Sequence, residues 1–328
     1  MNQPLMLPII KPKALGKGDA IGVVAPAGPL NRERIDRALA RVHDRGFRIK
    51  TYGDIYRTRG YLAGGDATRA AEFMEAFADP ETAAVWCARG GYGVMRMLHR
   101  IDFNVIRNNP KIFVGFSDIT ALHIPIQRRT GLITFHGPNL QDGFGKLDEM
   151  PAANQAVLWR LLLADQQSPG GSGYSYDFSA VAGLSLQTIR GGTAEGELTG
   201  GNLAMLSSTM GTPDEVDTTG RILFIEDVSE RLYRIDRYLT QLRLAGKFEA
   251  VAGVLLGSFS YDEGDDADMP SEIMAFLEEF FAGMNVPVLA GFPGGHDQYN
   301  LTLPMGGRIK LDADRRIVKL LENCVTVA

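Results

Sequence analysis

One serine, Ser117, stands where the sequence changes from strand-like to helix-like. The apolar run 112–116 ends at this residue, and helix-favouring residues begin at Ile119. At such a corner the hydroxyl projects beyond the sheet edge, and the backbone N–H groups of the next turn point to the same place. This arrangement suits a nucleophile, because the oxyanion formed by attack on a carbonyl would lie beside free donors.

The same serine also has a simpler interpretation. Position 119 is Ile, so the second glycine of the G-x-S-x-G turn is missing. Taken alone, the position favours an N-cap, in which the Ser117 hydroxyl accepts an N–H from the first turn of the helix.

A serine nucleophile requires a base and a group that orients that base. We interpret His43 as a surface residue, His99 as a helix-end residue, and His123 as lying on the helix of Ser117 but facing away. His136 and His296 both follow predicted buried strands in glycine-containing loops, where backbone and side chains come close to ligands. Position alone leaves these two as equal candidates, with a hydrogen bond to a loop carbonyl as the structural alternative for each.

Glu226 is the carboxylate that the pattern singles out. It ends the apolar strand-like run 222–225, and a carboxylate in that position is either paired or functional. It is a candidate to orient a histidine. A structural salt bridge explains it equally well, to one of three arginines: Arg231, Arg234 or Arg237.

Two glycine-rich turns precede predicted helices. The first, Gly90-Gly91-Tyr92-Gly93, lacks G-x-G-x-x-G and G-K-[ST] spacing, so a phosphate site is only weakly indicated. The same loop is able to offer a backbone N–H to an oxyanion, and the N–H of Asp118 is the other natural donor. The second turn places Asn202 before a helix, as an N-cap or a substrate contact.

Composition narrows the class of protein. The 328 residues carry a net charge of −5 with 45% hydrophobic and 22% charged residues, which is typical of a globular protein and argues against nucleic-acid or anionic-membrane partners. Two cysteines without C-x-x-C argue against disulfides and zinc, and the acidic run 262–268 lacks the EF-hand order, so we expect no metal or cofactor. No signal peptide or membrane span is evident, so we expect a cytoplasmic protein.

The elements that must position these residues alternate along the first half of the chain. Strand-like and helix-like segments predict a mostly parallel sheet covered on both faces, with ligand sites beyond the carboxyl ends of its strands. Predicted strands lie at 19–25, 47–52, 82–87, 112–116, 132–135, 193–198, 222–227, 251–259, 287–291, 308–312 and 315–321, and predicted helices at 31–45, 66–78, 94–107, 119–128, 150–163, 203–210, 231–245 and 271–281.

Composition changes near the middle of the chain. The stretch 166–173 is rich in Gln, Ser, Gly and Pro, as linkers are. We therefore predict an N-terminal α/β domain at 1–165 that carries the nucleophile, a linker at 166–185 and a strand-rich C-terminal domain at 186–328.

Several of these motifs, in this order, resemble the LD-carboxypeptidase family of serine peptidases, which also contains the self-immunity peptidases that inactivate microcin C. The resemblance covers nearly the whole chain. It is carried by seven segments: GDAIGVVAPAG at 18–28, ARGGYG at 88–93, VGFSDIT at 114–120, FHGP at 135–138, GGNL at 200–203, FIED at 224–227 and GFPGGH at 291–296.

The resemblance implies a triad of Ser117, Glu226 and His296, which decides between the two histidines by analogy. It implies an oxyanion hole made by the N–H groups of Gly91 and Asp118. It also implies a flavodoxin-like parallel α/β domain, a smaller β-rich α/β domain, an active site in the cleft between them, and a homodimer.

Two substrates follow from the resemblance. We favour a murein tetrapeptide, from which the terminal D-Ala is released during cell-wall recycling. The alternative is a peptidyl- or aminoacyl-nucleotide of the microcin C type, whose adenine stacks on an aromatic residue. Trp86 lies in a predicted buried strand and Trp159 in a predicted helix, so both are poor candidates for that role, whereas Tyr174, Tyr176 and Phe178 are possible substitutes.

The substrate carboxylate requires a cation or a set of N–H groups. Arg89 and Arg231 are candidates, although a structural ion pair explains either one as well. Two other classes of function stay open: a binding module in which Ser117 only caps a helix, and, with less support, a nucleotide-dependent transferase.

Overall fold

Two sheets with surrounding helices make up the protein. The computed structural model describes residues 7–146, 148, 150–167, 173–260 and 269–327. The acidic run at 262–268, which we interpreted as solvated surface, lies outside the described residues.

The first sheet has six strands in the order β11-β5-β4-β3-β1-β2. All neighbouring pairs are parallel except β11 with β5. Read from its other edge, the order β2-β1-β3-β4-β5 is that of flavodoxin-like folds, as expected. Its strands are β1 (Ala20–Val24), β2 (Arg48–Thr51), β3 (Thr82–Cys87), β4 (Ile112–Gly115), β5 (Thr134–His136) and β11 (Leu303–Met305). The helices in this part of the chain are α1 (Arg32–Asp44), α2 (Asp66–Ala78), α3 (Phe103–Asn108), α4 (Thr120–Thr130) and α5 (Ala152–Leu162).

The apolar pattern explains why these elements form. The residues of β1 and β4 are buried throughout, as expected for parallel strands covered on both faces. In α1, Ile35, Ala38 and Val42 repeat at three- and four-residue steps and form the buried face. The Asn31 side chain accepts the N–H of Arg34 and so caps the start of this helix.

The second sheet has seven strands in the order β13-β12-β7-β8-β9-β10-β6. The central strands β7 to β10 run parallel, and the outer pairs are antiparallel. Its strands are β6 (Gln187–Arg190), β7 (Thr193–Asn202), β8 (Ile222–Val228), β9 (Gly253–Ser260), β10 (Val288–Ala290), β12 (Arg308–Asp312) and β13 (Ile317–Leu320). The accompanying helices are α6 (Leu203–Ser208), α7 (Leu232–Leu244) and α8 (Met269–Phe281).

Strand β11 returns from the second half of the chain to the first sheet. Leu303 pairs with His136 and Met305 with Thr134, both in antiparallel register. The predicted domain boundary at 166–185 therefore has to allow a strand from the second half of the chain to join the first sheet. The boundary stays a prediction.

The structure differs from the prediction in one predicted helix and in two strands that were not predicted. The continuous helix predicted at 94–107 is wrong: a 3₁₀ helix, Met95–Arg100, is followed by an extended residue and then by α3, which Asp102 caps. Strands β6 and β11 were not predicted at all.

The described residues contain neither a membrane-crossing helix nor a cluster of metal-ligating side chains. No helix among them combines the length and apolar character that crossing a bilayer requires. No group of three or more His, Cys, Asp or Glu side chains among them is arranged to hold a metal ion.

Candidate active site

Ser117 adopts a backbone conformation that few side chains tolerate. It lies one residue beyond β4, after Phe116, and has φ +69°, in the left-handed region, which is rare for residues other than glycine. Such strain costs about 1–3 kcal/mol and is typical of a nucleophile at a sharp strand-to-helix turn. The turn Ser117–Ile119 and the start of α4 carry no side-chain cap, so the hydroxyl does not serve as one.

The glycine loop after β3 lies directly against this serine. A Cβ on Gly90 would lie 2.9 Å from Ser117 Cβ and 3.2 Å from its Oγ, so only glycine fits there. Gly91 has φ +114° and lies beside the backbone of Gly28. The Asp118 carboxylate accepts the N–H of Val94 at 2.9 Å and so joins the end of this loop to the turn of the nucleophile.

His296 and Glu226 form a close pair. His296 Nδ1 lies 2.7 Å from Glu226 Oε2, and the Glu226 side chain is fully buried in β8, two residues before the strand ends. A carboxylate only accepts, so Nδ1 carries the proton and Nε2 of the neutral ring is the free base. The ring of Phe116, next to the serine, packs on the His296 ring with centroids 4.7 Å apart.

Glu226 and His296 each favour the charged form of the other. Burial alone would raise the pKa of Glu226, but the charge and the hydrogen bond of His296, together with the nearby His136, outweigh it and lower the pKa to about 2. Burial would lower the pKa of His296, and the adjacent Glu226 carboxylate raises it above the ordinary 6.5. Glu226 therefore stays ionised and stabilises an imidazolium at His296.

His136, the other candidate base, lies behind the pair. It is fully buried, and its Nε2 lies 3.8 Å from Glu226 Oε1. It is not among the described residues that line the cleft beside Ser117, whereas His296 is. Geometry thus places His296 at the cleft and His136 beside the other carboxylate oxygen of Glu226, away from the described cleft residues.

Ser117 and His296 line the same cleft, which has a volume of about 600 Å³. Its charged side chains are of both signs: Arg89 and Lys146, with Asp142 and Asp297. Arg89 is half-buried and donates to the Pro29 carbonyl at 2.7 Å. Gly90 and Gly91 also line this cleft.

Two predicted substrate contacts lie elsewhere. The Asn202 side chain accepts the N–H of Met205 and donates to Asp227, so it caps α6 inside the protein. Arg231 is exposed at the start of α7. Neither is among the described residues of the cleft.

Two residues that sequence reasoning missed hold the loop of His296. Asn300 Oδ1 accepts the N–H of Gly295 at 3.2 Å. Asn154 Oδ1 accepts the N–H of Asn300 at 3.0 Å, and its amide donates to the Gln298 carbonyl at 3.1 Å. A signal was present, because Asn154 is a polar residue among the apolar residues of a predicted helix.

Family models match both halves of the chain. The LD-carboxypeptidase N-terminal domain matches residues 21–137, and the LD-carboxypeptidase C-terminal domain matches residues 195–311. The chain belongs to the LD-carboxypeptidase family. The two matched ranges include Ser117 and Glu226, respectively, and the fold is that of solved members of the family.

Individual relatives carry names from both branches of the family. A probable murein peptide carboxypeptidase of Bacillus subtilis is 40% identical over 302 residues, covering 92% of this chain and 91% of the relative. The microcin C7 self-immunity protein of Escherichia coli is 30% identical over 337 residues, covering 94% and 95%. The crystal structure of a muramoyltetrapeptide carboxypeptidase from Oxalobacter formigenes aligns with a TM-score of 0.78 at 32% identity, covering 92% and 97%.

Proposed function

We propose that this member of the LD-carboxypeptidase family releases the terminal D-Ala of murein tetrapeptides by serine catalysis. One observation carries the proposal: Ser117, in a strained left-handed conformation, shares a cleft with His296, which is bonded to the buried Glu226. The names of the Bacillus and Oxalobacter relatives support the substrate class.

The reaction follows from the roles of the three side chains. His296 Nε2 takes the proton of Ser117 as the hydroxyl oxygen attacks the scissile carbonyl carbon. Glu226 keeps the proton on Nδ1 and stabilises the imidazolium that forms. His296 then gives its proton to the amine of the departing D-Ala, and water, activated by the same ring, hydrolyses the acyl-enzyme.

Backbone groups supply the remaining charge stabilisation. We assign the oxyanion to the N–H groups of Gly91 and Asp118, which flank the serine on two loops. Arg89 lines the same cleft and is our candidate for the carboxylate of the substrate. Its bond to Pro29 holds the side chain in place and leaves other guanidinium donors for the ligand.

The aromatic residues argue against the nucleotide alternative. Trp86 and Trp159 are buried, and the Tyr176 hydroxyl donates to the Thr302 carbonyl inside the protein. Tyr174 and Phe178 pack against the same core. None of these side chains is among the described residues of the cleft, so none is placed to stack on an adenine there.

Cellular context and assembly are proposals from the family resemblance. We propose a cytoplasmic homodimer. Light scattering of the purified protein tests the assembly: a mass of twice 35.7 kDa supports it, and a monomer contradicts it.

The function is tested with a murein tetrapeptide and, separately, with a peptidyl-adenylate mimic, followed by mass spectrometry. We expect wild type to remove one alanine from the tetrapeptide and Ser117→Ala to lose about 10³-fold or more in rate. Ser207→Ala is the matched control, because this buried serine of α6 donates to Gln241 of α7 and is not among the described residues of the cleft. Cleavage of the adenylate mimic alone would move the protein to the immunity branch, and cleavage of neither would refute the substrate assignment.

A further inference from the structure

Thr120 joins the helix of the nucleophile to the second sheet. It is the first residue of α4, three positions after Ser117, and is fully buried. Its hydroxyl oxygen accepts the backbone N–H of Asn202 at 3.0 Å. A Cβ on Gly201 would lie 2.5 Å from that oxygen, so only a glycine at this position allows the backbone of β7 to come so close to the threonine.

Asn202 carries this connection on to the strand of Glu226. Its side-chain amide donates to Asp227 Oδ1 at 2.8 Å. Asp227 directly follows Glu226 on β8, and Oδ2 of Asp227 accepts the N–H of Ala204 at 3.0 Å. Asn202 is also the residue that pairs with Glu226 across the two parallel strands.

We propose that Thr120 and Asn202 are positioning residues that hold Ser117 in register with the Glu226–His296 pair. The nucleophile follows β4 of the first sheet, whereas Glu226 lies on β8 of the second sheet, so contacts between the two sheets help to set the separation of these two side chains. A displacement of about 1 Å between reacting groups is enough to cost about a hundredfold in rate. The inference rests on the proposed function, because it concerns the rate of that reaction.

A second contact, made by Gln127, limits the effect of losing the Thr120 hydroxyl to the start of α4. Gln127, two turns further along α4, donates to the Leu198 carbonyl at 3.2 Å and accepts the Thr199 hydroxyl at 3.0 Å. This contact keeps α4 docked on β7 when the Thr120 hydroxyl is removed. The freed end of the helix is the end next to Ser117, so the effect falls on the reacting serine.

The experiment compares three threonine variants of the full chain. Thr120→Val keeps the shape and removes the acceptor, whereas Thr120→Ser keeps the acceptor. Thr130→Val is the matched control, because Thr130 is buried in the same helix and its hydroxyl also accepts a backbone N–H, that of Leu132 at 3.1 Å. The measured quantities are kcat, KM and the melting temperature.

We expect Thr120→Val to lose about 10- to 100-fold in kcat with KM within about twofold, and Thr120→Ser to recover most of that loss. Thr130→Val is expected to lower the melting temperature similarly while keeping kcat. Equal kcat values for the two valine variants would overturn the positioning role, as would a Thr120→Ser variant that is no faster than Thr120→Val.

Two further measurements keep the inference testable if Thr120→Val does not fold or if the tetrapeptide is not a substrate. If Thr120→Val does not fold, Asn202→Ser removes the bond to Asp227 while serine still caps α6; a loss in kcat supports the inference, and a rise in KM alone overturns it. Labelling of Ser117 by a fluorophosphonate is independent of the peptide. Slower labelling of Thr120→Val than of wild type supports the inference even if the tetrapeptide is not a substrate, and equal labelling overturns it.

Discussion

Replacing Glu226 by Gln is the sharpest test of the site, because it removes a charge with almost no change in shape. In the native protein Glu226 Oε2 accepts the Nδ1 proton of His296 at 2.7 Å. A glutamine can present its NH₂ group there instead, which would place the imidazole proton on Nε2, the nitrogen that has to accept a proton from Ser117. The variant therefore loses both the charge and the reactive tautomer.

The size of the effect follows from the pKa of the carboxyl group. A fall from the ordinary 4.5 to about 2 corresponds to about 3 kcal/mol of stabilisation of the carboxylate by its surroundings, chiefly His296 and His136. His296 accounts for part of this stabilisation, so removing the charge destabilises the imidazolium by up to this amount and costs up to about a hundredfold in kcat. The tautomer adds to this, since the same type of replacement in a serine triad costs about 10⁴. We expect kcat to fall by about 10² to 10⁴.

The assay is steady-state release of D-Ala from a murein tetrapeptide at pH 7.5. KM is expected to change little, because Glu226 is fully buried and is not among the described residues of the cleft. Glu197→Gln is the matched control, since Glu197 is a mostly buried carboxylate paired with Arg221 at 3.2 Å away from the cleft. Retention of more than about a tenth of kcat in Glu226→Gln would refute the assigned role, and so would an equal loss in the control.

Two further predictions concern the surroundings of the triad. Gly90→Ala places a methyl group 2.9 Å from Ser117 Cβ and is expected to lower kcat by at least about 100-fold. Gly283→Ala is the control, because its methyl group meets no atom within 4 Å, and we expect it to keep kcat. A Gly90→Ala enzyme as active as that control would contradict the geometry. Asp142 helps to raise the pKa of His296, and the base has to be neutral, so kcat/KM is lost as pH falls through that raised pKa. Asp142→Asn lowers the pKa and is expected to move the acidic limb of the pH profile to lower pH; an unmoved limb would contradict this.

Local patterns were enough to predict most elements of the fold. The strand Thr82–Cys87 and the helix Asp66–Ala78 agree with the prediction at both ends, because apolar runs and helical periodicity are properties of neighbouring residues. Strand β11 was not predicted because it is three residues long, contains Pro304 and is defined by its pairing with β5, about 170 positions away in the chain. The division of the helix predicted at 94–107 was foreseeable, since Asp102 is a typical N-cap in the middle of the run.

The site was predictable in part, and for a physical reason. Position on the chain identified Ser117, Glu226 and two histidines, but the choice between His136 and His296 depends on which ring faces the cleft, and no local pattern encodes that. The same limit applies to Asn202. A glycine turn before a helix fits both a substrate contact and an N-cap, and the bond to Asp227 arises from the pairing of two strands far apart in sequence.

The return of β11 to the first sheet has a consequence for synthesis of the chain. Until residues 303–305 have left the ribosome, β5 presents an unpaired edge, and at about 5–20 residues per second the roughly 170 intervening residues take about 10–30 s to make. An open edge of this kind is a template for pairing with other chains. A nascent chain stalled between the two halves would therefore expose His136 and its strand to aggregation. The first sheet is completed almost last, although five of its six strands are made first.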